Sequence, residues 1–199
     1  FVLDISKMFL RIRLTKGSDY LRFLWRFCEK NLPPRIFRML VLTFGIISSP
    51  FQAIDIVFKH AEMLRDILPL AAEEVLNQVY MDDVPGGAQD VLTAIEKIKQ
   101  LWEFFKLASM EPHKFLSNKP EILLSLPAEN RSKKTTIKVL GVTWDSNIDY
   151  LTFDLDLPHQ FSKKDTKRSF LEASATIFDP LGLLTPFTMR IKLLFQQVW

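Results

Sequence analysis

Cysteine and histidine are both scarce in this sequence of 199 residues. Cys28 is the single cysteine, so the chain can form neither an internal disulfide nor a zinc site made of thiolates. The three histidines, His60, His113 and His159, are far apart and lack the spacing of zinc ligands. These shortages exclude a disulfide framework and a zinc centre of the usual spacing, and they favour a reducing compartment.

Long apolar runs are also absent. No window holds 18 uninterrupted apolar residues and no signal-peptide pattern is recognisable, so neither a membrane span nor secretion is supported. Hydrophobic residues make up 48% and charged residues 25%, which is ordinary for a soluble protein with one large domain or one and a half. We therefore expect a cytoplasmic protein without a membrane partner. Because the sequence begins at Phe1 inside an apparent strand, we also expect it to be part of a longer chain.

The net charge of +3 is unevenly distributed. Residues 1–38 hold nine Lys and Arg against three Asp and Glu, whereas residues 39–110 hold five against ten. Residues 111–199 hold twelve against ten. A basic beginning before an acidic middle suits a protein that binds a polyanion and also holds cations. Ordinary solvated faces are the alternative explanation.

The hydrophobic pattern predicts an α+β protein in which helices cover one face of a mostly antiparallel sheet. Predicted strands are FVLDIS, MFLRIRLT and NQVYMDDV, a strand pair within PRIFRMLVLTFG, and a hairpin formed by TTIKVLGVTWD and YLTFDLDL. Ser49 and Pro50 predict the start of one helix, with Ser49 as N-cap. Asp90 predicts the cap of a second helix, whose apolar stripe should pack on the sheet. Further helices are predicted from Lys163, with a break at residues 179–182.

Acidic residues follow two of the predicted strands. Asp4 comes directly after the apolar residues 1–3, and Asp82 and Asp83 come after residues 79–81. If these strands are neighbours, the carboxylates of Asp4 and Asp82 meet at the strand ends and repel each other. A pair of divalent ions relieves such repulsion and supports phosphoryl transfer, and oxygen ligands favour Mg²⁺ or Mn²⁺ over zinc. A solvated acidic turn is the alternative.

Five short motifs occur in the order in which reverse transcriptases carry theirs. Residues 80–83, YMDD, resemble the YxDD catalytic box, and residues 4–9, DISKMF, resemble the first catalytic motif. Residues 44–53, FGIISSPFQA, resemble the second motif, in which a Gly turn leads into a helix start. Residues 112–118, PHKF followed by Ser-Asn, resemble the lysine-bearing motif, and residues 139–144, VLGVTW, resemble the primer-grip hairpin. The ordered set is far more specific than YMDD alone.

The end of the chain indicates which group of reverse-transcribing elements the sequence resembles. Residues 167–199 resemble the segment that follows the polymerase in BEL/Pao-type LTR retrotransposons. The resemblance implies a polymerase palm without fingers at residues 1–135, a primer-grip-like β-hairpin at 136–160, and the start of a helical thumb/connection region at 161–199. No Asp-Thr/Ser-Gly triplet occurs, so no protease activity is predicted, and no carboxylate cluster of the RNase H type is recognisable.

The resemblance also implies roles for individual residues. Asp4, Asp82 and Asp83 would ligate two Mg²⁺ or Mn²⁺ ions, and Lys114 would protonate pyrophosphate unless it is an ordinary surface lysine. Phe9 would lie under the sugar of the incoming nucleotide and exclude a 2′-hydroxyl, unless it is a core residue. The implied nucleotide site comprises Ile5, Phe9, Phe44 and Gly45, and the implied primer site comprises Tyr80, Met81, Leu140, Gly141 and Trp144.

The implied activity is RNA-directed DNA synthesis, in which deoxynucleotides are transferred to a primer 3′-hydroxyl along an RNA or DNA template. The implied partners are template with primer, deoxynucleoside triphosphates and the rest of a retrotransposon polyprotein, in the cell or in virus-like particles. Without fingers, we expect this chain alone to extend primers poorly. Two alternatives stay open: a catalytically inert remnant that binds nucleic acid, and a two-metal nuclease. Pro85 is a departure, because it should remove a ladder donor from the strand after YMDD.

Overall fold

The computed structural model describes residues 1–15, 17–139, 141–153, 166–177, 179 and 181–198. Across these residues the protein is mixed α+β with three small antiparallel sheets, which confirms the predicted fold class. Two compact units divide the chain, Phe1–Lys133 and Lys134–Trp199. In the described ranges, no helix is both long and apolar enough to cross a membrane.

The first unit is built around a three-stranded antiparallel sheet of order β4-β1-β5. Strands β2 and β3 pair only with each other and form a separate two-stranded ribbon. The strands of this unit are β1 (Val2–Ser6), β2 (Arg22–Trp25), β3 (Arg35–Arg38), β4 (Asp83–Pro85) and β5 (Glu111–Leu116). Its helices are α1 (Met8–Arg11), α2 (Ser49–Met63), α3 (Pro69–Gln78), α4 (Val91–Leu107) and α5 (Pro120–Leu123).

The core lies between this sheet and the helices α2, α3 and α4. Leu3 and Ile5 of β1 are each 1% exposed and pack in one cluster with Val57, Val75 and Phe105 of the three helices. Burying side chains of this size stabilises the fold by about 1.5–3 kcal/mol each. Because side chains alternate along a strand, the residue between Leu3 and Ile5 faces away from this cluster. That residue is Asp4.

Two predicted helix starts are confirmed. Helix α4 begins after Asp90, whose carboxylate accepts a hydrogen bond from the backbone N–H of Thr93 at 2.9 Å. Helix α2 begins at the predicted Ser-Pro pair, but its N-cap is Ser48 instead of Ser49. The Ser49 hydroxyl donates instead to the carbonyl oxygen of Thr43 at 2.6 Å, and it fastens the preceding loop to the helix.

Several predicted strands are wrong. MFLRIRLT contains the short helix α1, because Lys7 adopts a left-handed backbone (φ 52°) that ends β1 and turns the chain. NQVYMDDV begins as the end of α3, a helix that the sequence analysis missed, and becomes a strand only at Asp83. The strand pair expected within PRIFRMLVLTFG is one strand, β3, and its partner β2 comes from earlier in the chain.

Pro85 does not disrupt the ladder of the central sheet. Phe1 and Gly86 exchange two backbone hydrogen bonds of 2.9 Å, so the next pair, Val2 with Pro85, occupies a non-hydrogen-bonded position. At such a position the backbone nitrogen points away from the partner strand. The expected loss of a ladder donor is therefore wrong, because the missing N–H of Pro85 lies on the outer edge of β4.

A buried ion pair fixes the chain where it leaves β4. Glu74 of α3 is 5% exposed, and its carboxylate pairs with the Nζ atom of Lys97 on α4. The same two side chains hold Gly87, whose N–H donates to Glu74 and whose carbonyl accepts from Lys97 at 2.9 Å. At the neighbouring Gly86, an added Cβ would lie 2.5 Å from the Glu74 carboxylate. The turn therefore requires glycine for space.

The second unit contains a three-stranded meander and two helices. The strands β6 (Thr136–Val139), β7 (Val142–Asp145) and β8 (Tyr150–Thr152) pair in sequence order. The predicted hairpin thus has an additional turn at Gly141, whose φ of 84° favours glycine. Helices α6 (Lys167–Ala175) and α7 (Thr185–Val198) follow, with the rings of Phe170 and Phe195 stacked at 6.2 Å. Residues 154–165 of the predicted hairpin and helix lie outside the described part.

Candidate active site

The YMDD motif forms a tight turn between α3 and β4. Tyr80 and Asp83 exchange backbone hydrogen bonds of 3.0 Å in both directions, which leaves Met81 and Asp82 at the tip. Met81 has φ 57°, and a positive φ at this first tip residue alone is the sign pattern of a type II′ turn. Non-glycine residues adopt this conformation at a cost, so the packing around the turn holds a strained backbone in place.

The turn is attached to β1 beside Asp4. The N–H of Ile5 donates to the carbonyl oxygen of Asp82 at 2.8 Å, and Asp4 lies opposite Asp83 in the antiparallel register. The backbone of Asp83 is bonded to Tyr80, so Asp4 and Asp83 form a non-hydrogen-bonded pair, the type that brings side chains closest. The structure therefore brings Asp4, Asp82 and Asp83 together at one end of the central sheet.

The electrostatics of this end are unfavourable for three ionised carboxylates. The pKa of Asp83 is raised from 3.8 to about 6, mainly by partial burial and then by the charges of Asp82 and Asp4. Lys114 acts in the opposite direction and lowers the pKa of Asp83. Like charges placed opposite each other in a sheet are destabilising. The arrangement thus has an excess of negative charge that Lys114 offsets only in part.

Lys114 reaches the acidic end through a bulge in β5. The register between β1 and β5 shifts between Val2 and Asp4, and Lys114 itself has φ 54°. Bulges re-aim side chains, and here the Nζ atom of Lys114 lies 2.6 Å from Oδ2 of Asp4. The Lys114 side chain is still 62% exposed, so this ion pair is open to solvent and to exchange.

His113 is a neighbour of Asp4 that the sequence analysis did not select. Its Nδ1 atom donates to the carbonyl oxygen of Asp4 at 3.0 Å and lies 3.7 Å from the Oδ1 atom. His113 lies directly before Lys114 in PHKF, and this position is the signal that the sequence offers. The residue holds the backbone of Asp4 from the side of β5.

The predicted nucleotide-site residues lie near each other. The rings of Phe9 and Phe44 are 4.8 Å apart at an angle of 53°, with Phe44 73% exposed. Phe9 is half-buried and packs against the core on its other side. Gly45 has φ 89°, which favours glycine, and no atom lies within 4 Å of the place of a Cβ. Ile5 is buried, so only its backbone is available to a ligand.

The predicted primer-site residues fall in both units. Tyr80 is 60% exposed and does not pack as an ordinary strand residue, and Met81 is half-buried. In the second unit, Gly141 forms the turn between β6 and β7, and the indole N–H of Trp144 donates to Asp149 at 3.0 Å. Leu140 lies outside the described residues.

Among the residues that the structure describes, no three acidic, histidine or cysteine side chains are arranged to hold a metal ion. Instead, the carboxylate of Asp4 is paired with Lys114. The Asp82 side chain is exposed at the turn, and Asp83 is half-buried. The acidic end therefore holds three neighbouring aspartates, and Lys114 is the counter-ion of Asp4.

Comparison with known families gives a match at the end of the chain. Residues 166–199 match the family described as "Pao retrotransposon-like RNaseH-like domain". No curated protein matches the chain. The match supports an origin in a Pao retrotransposon, as predicted from residues 167–199, and it lies in the second unit. The matched residues were predicted as the start of a thumb/connection region, and that assignment stays a prediction.

The matched segment contains two acidic residues, Glu172 and Asp179. Both oxygens of Asp179 accept backbone hydrogen bonds, from Leu183 at 2.9 Å and from Leu184 at 2.7 Å. These bonds cap the turn that leads into α7. Asp179 therefore has a structural role at the predicted helix break, and Glu172 is the other carboxylate of the matched segment.

Proposed function

We propose that this chain is part of the polymerase of a Pao-type retrotransposon and that its first unit carries the catalytic carboxylates. The reaction would be transfer of a deoxynucleotide to a primer 3′-hydroxyl, copied from an RNA or DNA template. The observation that carries the proposal is that the sheet register places Asp4 next to Asp83 and the strained turn that carries Asp82. The retrotransposon origin adds nucleic acid and the rest of the polyprotein as partners.

In the proposed site, the aspartates would hold divalent cations in place of the ion pair between Lys114 and Asp4. Asp4 and Asp82 would be the ligands. The pKa of Asp83 is raised first by burial and then by the negative charges of Asp82 and Asp4, and a cation would neutralise those charges. Carboxylate oxygens are the ligands that Mg²⁺ and Mn²⁺ prefer. Two bound ions would activate the primer hydroxyl and stabilise the charge of the leaving pyrophosphate. Lys114 holds Asp4 through an exposed ion pair, which it can exchange for a phosphate.

The neighbouring side chains would select and position the nucleotide. The paired rings of Phe9 and Phe44 form an apolar wall, and the half-buried Phe9 is the more rigid of the two. A rigid ring beneath the sugar would exclude a 2′-hydroxyl and thereby select deoxynucleotides. Gly45 leaves open space beside Phe44, where a template or nucleotide backbone can approach.

The experiment compares Asp82→Asn with Asp66→Asn, an exposed aspartate between α2 and α3. Mn²⁺ binding to the present chain, measured by calorimetry, should be lost in Asp82→Asn and retained in Asp66→Asn, because an amide is a poor partner for a divalent ion. Primer extension, measured in a chain extended upstream by a fingers segment, should show the same pattern. Mn²⁺ binding or extension that survives Asp82→Asn would refute the assignment.

A two-metal nuclease that uses the same aspartates is the second candidate, because carboxylate sites with two metal ions also serve nucleases, and residues 166–199 match a family described as RNaseH-like. Such an enzyme would cut RNA or DNA with the same cations and would need no deoxynucleoside triphosphate. Incubation of labelled RNA–DNA hybrid with the chain and Mn²⁺ separates the two activities. Cleavage that disappears in Asp82→Asn would replace polymerase with nuclease. Nucleic-acid binding with neither metal binding nor extension would identify an inert remnant.

A further inference from the structure

The ribbon formed by β2 and β3 stands apart from the core of the first unit. All residues of β2 are exposed, and in β3 only Phe37 is partly buried. The antiparallel register places Phe23 opposite Phe37 and Trp25 opposite Arg35. Residues directly opposite each other share a face, so these four side chains lie on one side of the ribbon. We call them, together with Phe27, the aromatic face.

The aromatic face is an ordered stack of rings with an arginine on it. The rings of Phe23 and Phe37 stack at 5.8 Å with an angle of 27°, and Phe27 meets Phe37 edge-on, also at 5.8 Å. The guanidinium carbon of Arg35 lies 5.5 Å from the centre of the Phe37 ring, within the range of a cation–π contact. The face is therefore organised before any ligand arrives.

Much of this aromatic surface is open to solvent. Phe23 is 42% exposed, Trp25 46% and Phe27 54%. Phe27 and Cys28 both have positive φ angles, 56° and 63°, which non-glycine residues adopt at a cost. This backbone places Phe27 against Phe37 at the turn of the ribbon. Exposed aromatic groups in such a cluster mark a binding surface.

Charge identifies the kind of ligand. Residues 19–38 contain five basic residues and two acidic ones. Arg22 and Arg38 lie on the opposite face, where both pair with Asp19 at 3.7 and 2.9 Å. Arg35 on the aromatic face has no salt bridge among the described residues. Stacking rings joined to an unneutralised arginine suit unpaired bases on a phosphate backbone.

We propose that the aromatic face binds the unpaired bases of a single-stranded nucleic acid. Trp25 and Phe23 supply planes on which bases stack, and Arg35 contacts a base plane or a phosphate. The ribbon contains no member of the carboxylate cluster, so this binding requires no metal ion. The inference goes beyond the proposed polymerase, because it holds for an inert remnant as well.

The test is binding of labelled oligo(dT) and oligo(U) of about 12 nucleotides, within the site sizes of stacking proteins. Binding is measured by fluorescence anisotropy with EDTA present. Trp25→Ala should weaken single-strand binding by about 5- to 150-fold, the effect of losing one stacking partner. Leu24→Ala, its neighbour on the opposite face of the same strand, is the matched control and should bind as the unchanged protein does. Circular dichroism confirms that both variants are folded.

Duplex of the same length should bind more weakly, because its bases are not free to stack. Because binding is measured with EDTA present, it does not depend on cations at the carboxylates, so failure of the polymerase proposal and failure of this one are distinguishable. The inference would be overturned if Trp25→Ala and Leu24→Ala lost equal amounts of oligonucleotide affinity. It would also be overturned if duplex bound as tightly as single strands. Sedimentation that shows ribbon-dependent self-association without oligonucleotide binding would assign the face to a second copy of the chain instead.

Discussion

Replacing Asp83 with asparagine should make the protein more stable and weaken its binding of divalent cations. The carboxyl of Asp83 is half-buried between Asp82 and Asp4, and its pKa is raised from 3.8 to about 6. A group whose pKa is higher in the folded state favours folding only while it is protonated. Its contribution is therefore complete below about pH 4 and is lost as the pH rises through 6.

The size of the effect follows from the same values. A rise from 3.8 to about 6 corresponds to about 3 kcal/mol at high pH. Because Asp83 is only half-buried, solvent screening reduces this figure, and we expect about 1–1.5 kcal/mol. Asp83→Asn removes the charge and keeps the shape, so it should be more stable than the unchanged protein by that amount at pH 8. At pH 4 the difference should be small.

Urea unfolding followed by circular dichroism at pH 4 and pH 8 checks this expectation. Asp66→Asn, at an exposed position away from the carboxylate cluster, should change stability by about 0.5 kcal/mol or less at either pH. The reasoning is refuted if Asp83→Asn destabilises the protein at pH 8, or if its effect is the same at both pH values. Calorimetry should also show that Asp83→Asn binds Mn²⁺ more weakly than the unchanged protein does.

Three further outcomes are expected. Lys97→Met should cost about 3–5 kcal/mol in urea unfolding, because it leaves Glu74 charged and buried, whereas Lys59→Met, at an exposed helix pair, should leave stability almost unchanged. Gly86→Ala should cost about 1–3 kcal/mol, since its Cβ would overlap the Glu74 carboxylate. In the upstream-extended chain, Phe9→Val should let ribonucleotides be incorporated while deoxynucleotide incorporation largely survives. If the ratio of ribonucleotide to deoxynucleotide incorporation is unchanged and stability is lower by about 1–4 kcal/mol, Phe9 is a core residue only.

Helix starts that depend on neighbouring residues could be predicted from the sequence. Asp90 caps α4 because its side chain needs only the N–H three residues on. The wrong strand prediction for MFLRIRLT came from a misleading hydrophobic periodicity. Apolar residues at 8, 10, 12 and 14 alternate as in a strand, but Lys7 turns the backbone and Met8 is buried in the core. Helix α3 begins at Pro69 after Leu68, which offers no side-chain cap, so a proline at the first helical position was the start signal that the sequence analysis missed.

The candidate site was predictable only in part. The ends of β1 and the YMDD turn meet as expected, because each carboxylate directly follows an apolar run. The contact of Lys114 with Asp4 could not be read from the sequence, since it depends on a bulge opposite a strand more than a hundred residues earlier. The exposed ribbon was also missed, because its second strand was expected to pair within residues 34–45.

The position of Pro85 has a consequence for contacts between molecules. It lies on the outer edge of β4, where a further strand would need an N–H donor to join the sheet. The opposite edge, β5, is covered, because Asn130 donates to the carbonyl of Pro112 at 3.1 Å and Ser132 donates to that of Phe115 at 2.8 Å. The sheet that carries the carboxylates is thus protected on both sides against edge-to-edge aggregation. At high protein concentration, another copy of the chain cannot add a strand to either edge of this sheet without first breaking native hydrogen bonds or accepting a proline.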